Sequence, residues 1–210
     1  GIDVYDDFYC SLYDDLVYDE IKNDYEVVHL KKTGKIDKKS IIIDIGSGRG
    51  HHVNHYNSNG IAAEGLDISP SMIKLSQQEY PNSKFKLGDA LDSSNFHHDY
   101  ASHIICLYFT IYSIEDKVTF FKNCYDWLKP GGKLVIHLVN RNKFDPIINS
   151  ANPLTLVNAQ KYAKERLTKS IVKFKDFLYK ASYVSDNDMS YFYETFKDDA
   201  TKNTRKNEHI

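Results

Sequence analysis

Three short segments set acidic side chains beside glycines. The first is Ile41–Gly50, IIIDIGSGRG, an apolar run that leads into Gly46, Gly48 and Gly50. Glycines at this spacing permit a tight turn and close backbone approach to a ligand, and a following helix would offer free N–H groups. The order is G-x-G-x-G, whereas the dinucleotide fingerprint is G-x-G-x-x-G, and position 51 is His. Asp44, two residues before the first glycine, is out of place beside a pyrophosphate and suits a ligand that carries positive charge. The second segment is Gly65–Ser69, GLDIS; Asp67 stands 21 residues after Gly46, where an acid accepts both hydroxyls of a ribose. The third is Leu87–Leu91, LGDAL, in which Asp89 is placed to accept an adenine amino group. Each segment alone also reads as an ordinary turn.

The elements that position these segments follow from pattern. Ser40–Ile45 is a continuous apolar run ending in Asp-Ile-Gly and reads as a strand buried on both faces. His51–Asn57 starts a helix that Gly60 closes, and Ala62–Ile68 is a second strand. Ser69 as N-cap and Pro70 at the first position open a helix to about Tyr80. Lys84–Leu87 and Ala101–Tyr108 read as strands, Glu115–Trp127 as a helix ended by Lys-Pro-Gly-Gly, and Lys133–Val139 as a fifth strand. Strands and helices alternating through short loops predict an α/β fold: a doubly wound, Rossmann-like, mostly parallel sheet with helices on both faces. Residues 3–30 carry Phe8, Leu12 and Leu16 at helical spacing and predict one or two helices, followed by a charged connector at Lys31–Lys39. In the tail, Pro153–Arg166 reads as a helix; Ser170–Ser182, Met189–Phe196 and Thr204–Ile210 read as an antiparallel meander of three strands.

The three acidic segments in register, followed by Trp127–Ile136 (WLKPGGKLVI), resemble the class I S-adenosylmethionine-dependent methyltransferases over about Lys39–Asn140. Ser69–Ile73 (SPSMI) resembles the segment in which a Met packs on adenine, and Ile105–Ile114 resembles the fourth strand and the loop facing the methyl group. His137–Asn140, Phe144–Pro146 and the antiparallel tail further resemble sugar and glycine-type N-methyltransferases. The resemblance implies S-adenosylmethionine as cofactor, S-adenosylhomocysteine as product, and in-line methyl displacement. It implies cofactor contacts at Asp44, Gly46, Gly48, Gly50, Asp67, Ile68, Met72, Asp89, Ala90 and Leu107. It also implies an N-terminal lid over residues 1–30, from which Tyr9 and Tyr13 reach the cofactor. Tyr108, Phe109, Thr110 and Tyr112 are expected to line the acceptor pocket, where aromatic faces favour an onium-like transition state. His137 and Arg141, at the end of the fifth strand, are the polar side chains placed to orient an acceptor.

His51 and His55 share a helix face at i, i+4 and could ligate a metal; a histidine after the glycine loop is common in the resembled family, so no metal is expected. The chain has 210 residues and a formal charge of −2, with 41% hydrophobic and 27% charged residues, which suits one globular domain. Four of the 27 basic residues are Arg, so bidentate phosphate readers are scarce and nothing suggests a grip on nucleic acid. No apolar run approaches the ~18 residues of a membrane span. Three widely spaced cysteines, Cys10, Cys106 and Cys124, argue against a disulfide framework and fit a cytoplasmic protein.

The expectation is thus a single methyltransferase domain: lid 1–30, cofactor core 39–140, and residues 141–210 on the substrate side. Its function is methyl transfer to a small molecule, at nitrogen. The alternatives are a protein or RNA methyltransferase and a non-catalytic S-adenosylmethionine-binding partner subunit. The resembled fold normally closes with a helix and an antiparallel strand pair beside the fifth strand, so a C-terminus that stops at Arg205–Ile210 reads as incomplete or substituted.

Overall fold

Two capped helices precede the first strand of the sheet in the computed structural model, which describes residues 4–140, 144–148, 159–186 and 189–209. Helix α1 spans Asp7–Val17 and α2 spans Glu20–Gly34; the Asp19 side chain caps α2 by accepting the Lys22 N–H. α2 runs through Lys31–Thr33, part of the expected connector, and it is Lys35, at φ 59°, that turns left-handed to end it. There follow β1 (Ile41–Ile45), α3 (His51–Ser58), β2 (Ala62–Asp67), α4 (Pro70–Glu79), β3 (Lys84–Leu87), β4 (Ala101–Cys106), α5 (Thr110–Ser113), α6 (Lys117–Trp127) and β5 (Leu128–Ile136).

These strands form one parallel sheet in the order β3-β2-β1-β4-β5. Both faces are covered, as the continuous apolar run of β1 requires. Ile42 packs with Val27, Leu30, Val53, Tyr56 and Ile105 on one face. Ile43 and Ile45 pack with Leu66, Ile104, Phe120, Cys124 and Trp127 on the other. Alternation at period 2 therefore sends Asp44 to the same face as Ile42, toward α2 and α3.

Local chemistry moves several boundaries from their expected places. β4 stops at Cys106 and not Tyr108, because Tyr108 (φ 47°) and Phe109 (φ 68°) are left-handed. Asp116, rather than Glu115, opens α6, its carboxylate accepting the Thr119 N–H at 3.0 Å, and residues 110–113 form a short helix of their own. β5 begins at Leu128 and ends at Ile136, not at Val139. Lys-Pro-Gly-Gly is an excursion within it: Ala101 pairs with Leu128, and pairing resumes at His103 with Lys133.

The chain divides into two compact units, residues 2–14 with 19–138, and residues 139–210 with 15–18. The second unit holds a separate antiparallel sheet of four strands, one more than expected: β6 (Lys169–Lys173), β7 (Phe177–Ser185), β8 (Ser190–Asp198) and β9 (Thr204–His209). The single strand read at Ser170–Ser182 is a hairpin, turned at Lys175-Asp176 with the Phe174 N–H on the Phe177 carbonyl at 3.0 Å. No glycine, asparagine or proline marks that turn. Its inner face is closed by buried Glu194, which accepts the Tyr179 hydroxyl at 2.8 Å and pairs with His209 at 2.7 Å. The helix expected at Pro153–Arg166 lies outside the described residues up to 158; from 159 only a single 3₁₀ turn, Ala159–Lys161, is helical.

Candidate functional site

The carboxyl ends of β1, β2 and β4 converge on the glycine loop. Gly46 is at φ 70° and lies under Thr110: a Cβ there would come within 2.4 Å of Thr110 Oγ1. Gly50, at φ 86°, is equally tight against the Phe85 ring, at 2.4 Å. Gly48 differs. It too is left-handed (φ 51°), but a Cβ there would meet nothing within 4 Å, so the loop has open space above it. The turn thus needs glycine for close packing below and leaves its upper side free for a ligand.

Asp67 closes this loop from β2. One carboxylate oxygen accepts the Gly48 N–H at 2.8 Å and the other the Ser69 N–H at 2.9 Å. A carboxylate has about four lone-pair sites, so capacity remains for a ligand's hydroxyl. Burial raises the pKa of Asp67, against the lowering effect of the Ser69, Gly48 and Ile68 N–H groups. Asp44 is 3% exposed, and its pKa is pushed up to about 7. Burial is the main cause; nearby His52 opposes it, while Asp67 and Glu26 add to it. A cationic ligand group would reverse that penalty, which fits the ammonium end of S-adenosylmethionine.

Of the residues expected to bound the adenine, Met72 is buried behind the Ser69 cap and Ile68 is 45% exposed. Asp89 is exposed; its carboxylate accepts the Leu91 N–H at 2.9 Å. Ala90 and Leu107 are buried in the two cores, and the Ala90 carbonyl is held by Asn123 at 3.0 Å.

The N-terminal segment lies against this edge. Ser69 Oγ donates to the Tyr5 carbonyl at 2.8 Å, Ser71 Oγ to Asp7 at 2.6 Å, and Arg49 to the Cys10 carbonyl at 3.4 Å. Tyr9 is buried, its ring 6.2 Å from that of Tyr13. The Tyr13 phenol is pushed well up by burial first, then by Tyr5, Tyr108 and Asp67. His51, considered above with His55, bonds instead to Tyr80 Oη at 2.7 Å and Asp14 at 3.0 Å. Asp14, His51 and Glu79 offer ligand atoms within 4.8 Å of one another, but Arg49 already supplies their positive charge, 2.6 Å from Glu79 and 3.7 Å from Asp14.

At the ends of β4 and β5, Phe109 stacks obliquely near His137 at 5.6 Å, and Tyr108 lies 6.5 Å from the same imidazole. Tyr112 is 46% exposed beside Phe109. Arg141 falls outside the described residues. Three residues that motif reading did not place here join this cluster. Glu26 of α2 stands 3.5 Å from His52 and 3.8 Å from His137, and Lys22 lies 4.1 Å over the Tyr108 ring. Burial alone would raise Glu26, but His52, Lys22 and His137 outweigh it and hold it below the usual carboxylate range. His137 is lowered by burial, with Glu26 opposing. Two left-handed non-glycine residues in succession, Tyr108 and Phe109, mark backbone strain of the kind that collects at functional sites.

Comparison with known proteins agrees with this geometry. Residues 43–136 match the family described as a methyltransferase domain. A demethylmenaquinone methyltransferase of Chlorobaculum parvum is 30% identical over 116 residues, 53% of this chain and 47% of that protein. A phosphoethanolamine N-methyltransferase of Plasmodium falciparum is 32% identical over 110 residues, 49% of this chain and 40% of that protein. The matched stretch thus spans less than half the length of these relatives. Among solved structures, an S-adenosylmethionine-dependent methyltransferase from Clostridium acetobutylicum shares the fold over 96% of this chain and 78% of its own, with a TM-score of 0.66 at 14% identity. The CcbJ methyltransferase of Streptomyces caelestis does so over 96% and 77%, also at 0.66, with 12% identity. Residues 43–136, carried on the parallel sheet, are thus similar to a methyltransferase domain, and the fold is the one that S-adenosylmethionine-dependent methyltransferases share.

Proposed function

We propose that this chain transfers a methyl group from S-adenosylmethionine to a small-molecule acceptor, at nitrogen. The observation that carries the reading is the pair of acids, Asp44 and Asp67, at the ends of adjacent parallel strands on either side of a glycine loop open above Gly48. Asp67 would hold the ribose, Asp44 would face the ammonium end, and Ile68, Met72 and Asp89 would bound the adenine. S-adenosylmethionine supplies an activated methyl on a sulfonium. The chain's own part is then to bind, align and exclude water, with no strong base demanded for a neutral amine. Residues 39–140 serve as the cofactor core and the α1 segment, with Tyr9 and Tyr13, as the lid.

The nitrogen assignment is supported by the acceptor side. Carboxylate and aromatic faces, Glu26, Tyr108 and Phe109, surround it and favour a group that gains positive charge on methylation. The name of the P. falciparum relative places its own methylation at nitrogen, while the C. parvum relative acts on demethylmenaquinone. A formal charge of −2 disfavours a nucleic-acid acceptor. The three free, buried cysteines fit a reducing, cytoplasmic setting, and no helix among the described residues is long and apolar enough to cross a membrane. Turnover of S-adenosylmethionine across an amine, phenol and carboxylate panel tests the reading; turnover confined to phenols or carboxylates would overturn the nitrogen assignment.

A further inference from the structure

We infer that Glu26, Tyr108 and His137 form an ammonium-binding box for the acceptor, in which Lys22 stands as a resident cation that an amine displaces. This deepens the proposed methyltransferase reading and rests on it. The Lys22 ammonium lies 4.1 Å from the centre of the Tyr108 ring and 3.9 Å from Glu26 Oε1. The same carboxylate oxygen is 3.8 Å from His137 Nδ1. A cation over an aromatic face and beside a carboxylate is the arrangement that recognises ammonium ligands, and here the chain fills it with its own side chain.

Three features make Lys22 a removable occupant. Its side chain is 40% exposed while that of Glu26 is 13% exposed, so the lysine stem enters from solvent and the carboxylate stays inside. Its pairing with Glu26, at 3.9 Å, is long, and burial lowers its pKa, so the ammonium is held loosely. The carboxylate is also anchored apart from the lysine: Glu26 Oε2 faces His52 Nε2 at 3.5 Å, so it keeps its place when Lys22 leaves.

Charge decides between an amine and an anion. The groups facing Glu26 are Lys22 on its own helix, His52 on α3, Asp44 on β1 and His137 after β5. An anion drawn to Lys22 would meet the carboxylates of Glu26 and Asp44 and the negative face of Tyr108. An ammonium in place of Lys22 meets attraction from all three.

The test uses tetramethylammonium as probe, with tert-butyl alcohol as its neutral equal in size and acetate as the anion. Binding is followed by amide chemical shifts of residues 22–26, 108 and 137 in the protein saturated with S-adenosylhomocysteine. Lys22→Met is expected to bind tetramethylammonium about tenfold more tightly than the unaltered chain, and Glu26→Gln about tenfold more weakly. The alcohol should gain nothing from Lys22→Met. Equal gains for cation and alcohol, or acetate binding that Lys22→Met abolishes, would overturn the box and make Lys22 a spacer or an anion anchor. Calorimetry with S-adenosylhomocysteine on each variant reads folding and the cofactor site separately. Failure of the unaltered chain to bind S-adenosylhomocysteine counts against the methyltransferase reading, and failure of the probe on variants that still bind it counts against the box.

Discussion

Replacing Asp44 by Asn should trade cofactor affinity for stability, and both sides can be sized. The carboxyl is pushed up from 3.8 to about 7, chiefly by burial. A shift of that extent corresponds to about 4 kcal/mol of penalty on the ionised form, an order-of-magnitude upper figure. Because the folded value is raised, the carboxyl favours the fold fully below pH 4, and that contribution is lost as pH rises through about 7. The amide of Asp44→Asn carries no such loss, so the variant should match the wild type near pH 4 and exceed it at about pH 8 by up to roughly 4 kcal/mol. A cationic ligand wants the ionised form. Wild-type affinity for S-adenosylmethionine should therefore rise about tenfold per pH unit toward pH 7 and level off above it, with one proton released on binding at lower pH. The amide should bind about 1.5–3 kcal/mol more weakly at pH 8 and show no such slope. Thermal unfolding from pH 4 to 8.5, and calorimetry in buffers of different ionisation heat, read the two sides. A wild-type affinity flat across pH 5.5–8, or an Asn variant no more stable at pH 8, would refute the assignment of Asp44 as a buried acid awaiting a cation.

Other predictions follow from single contacts. Gly46→Ala forces a left-handed alanine into Thr110 and should cost about 2 kcal/mol or more; a melting temperature within a degree of wild type would contradict the packing. The thiols of Cys10, Cys106 and Cys124 are buried and pushed up to about 11, 12 and 12. At pH 8 a thiol reagent should leave all three unmodified until denaturant is added, and fast labelling of Cys10 alone would show that α1 does not stay closed. Tyr179→Phe removes a charge-assisted bond to buried Glu194 and should cost about 2 kcal/mol in denaturant unfolding; no change would mean that the carboxyl is satisfied without it.

The parallel core was legible because its signals are local and agree with one another. A strand such as β1, apolar through Ile41–Ile43, belongs to a two-sided sheet, Ser69-Pro70 opens a helix by its own chemistry, and Lys84–Leu87 emerged with the bounds its pattern predicts. The acids at 44 and 67 stood out because they interrupt apolar runs. The acceptor side was legible only in part, for a physical reason. Glu26 meets His52 and His137 through residues 26 and 111 positions away, so no spacing rule announces them. α2 also obscures its own faces: Ile21, Tyr25 and Val28 are exposed while Asn23 is buried with Val27 and Leu30, so its apolar residues do not single out the buried face that Lys22 and Glu26 border. The hairpin at Lys175-Asp176 was missed because a lone Asp between two aromatic residues, with no Gly, Asn or Pro beside it, is a weak turn signal, and β5 was shortened because Pro-Gly-Gly reads as its boundary when it is an excursion within it.

The most direct test of the account is the affinity for S-adenosylmethionine of the wild type and of Asp67→Ala, measured by calorimetry on protein whose fold has been checked. Asp67 is the carboxylate that ties the Gly48 loop to β2 and is assigned the ribose. The account predicts that the wild type binds and that the variant binds about 1.5–3 kcal/mol more weakly, roughly ten- to a hundredfold. Unchanged affinity in the variant, or a wild type that binds NADH more tightly than S-adenosylmethionine, would contradict it.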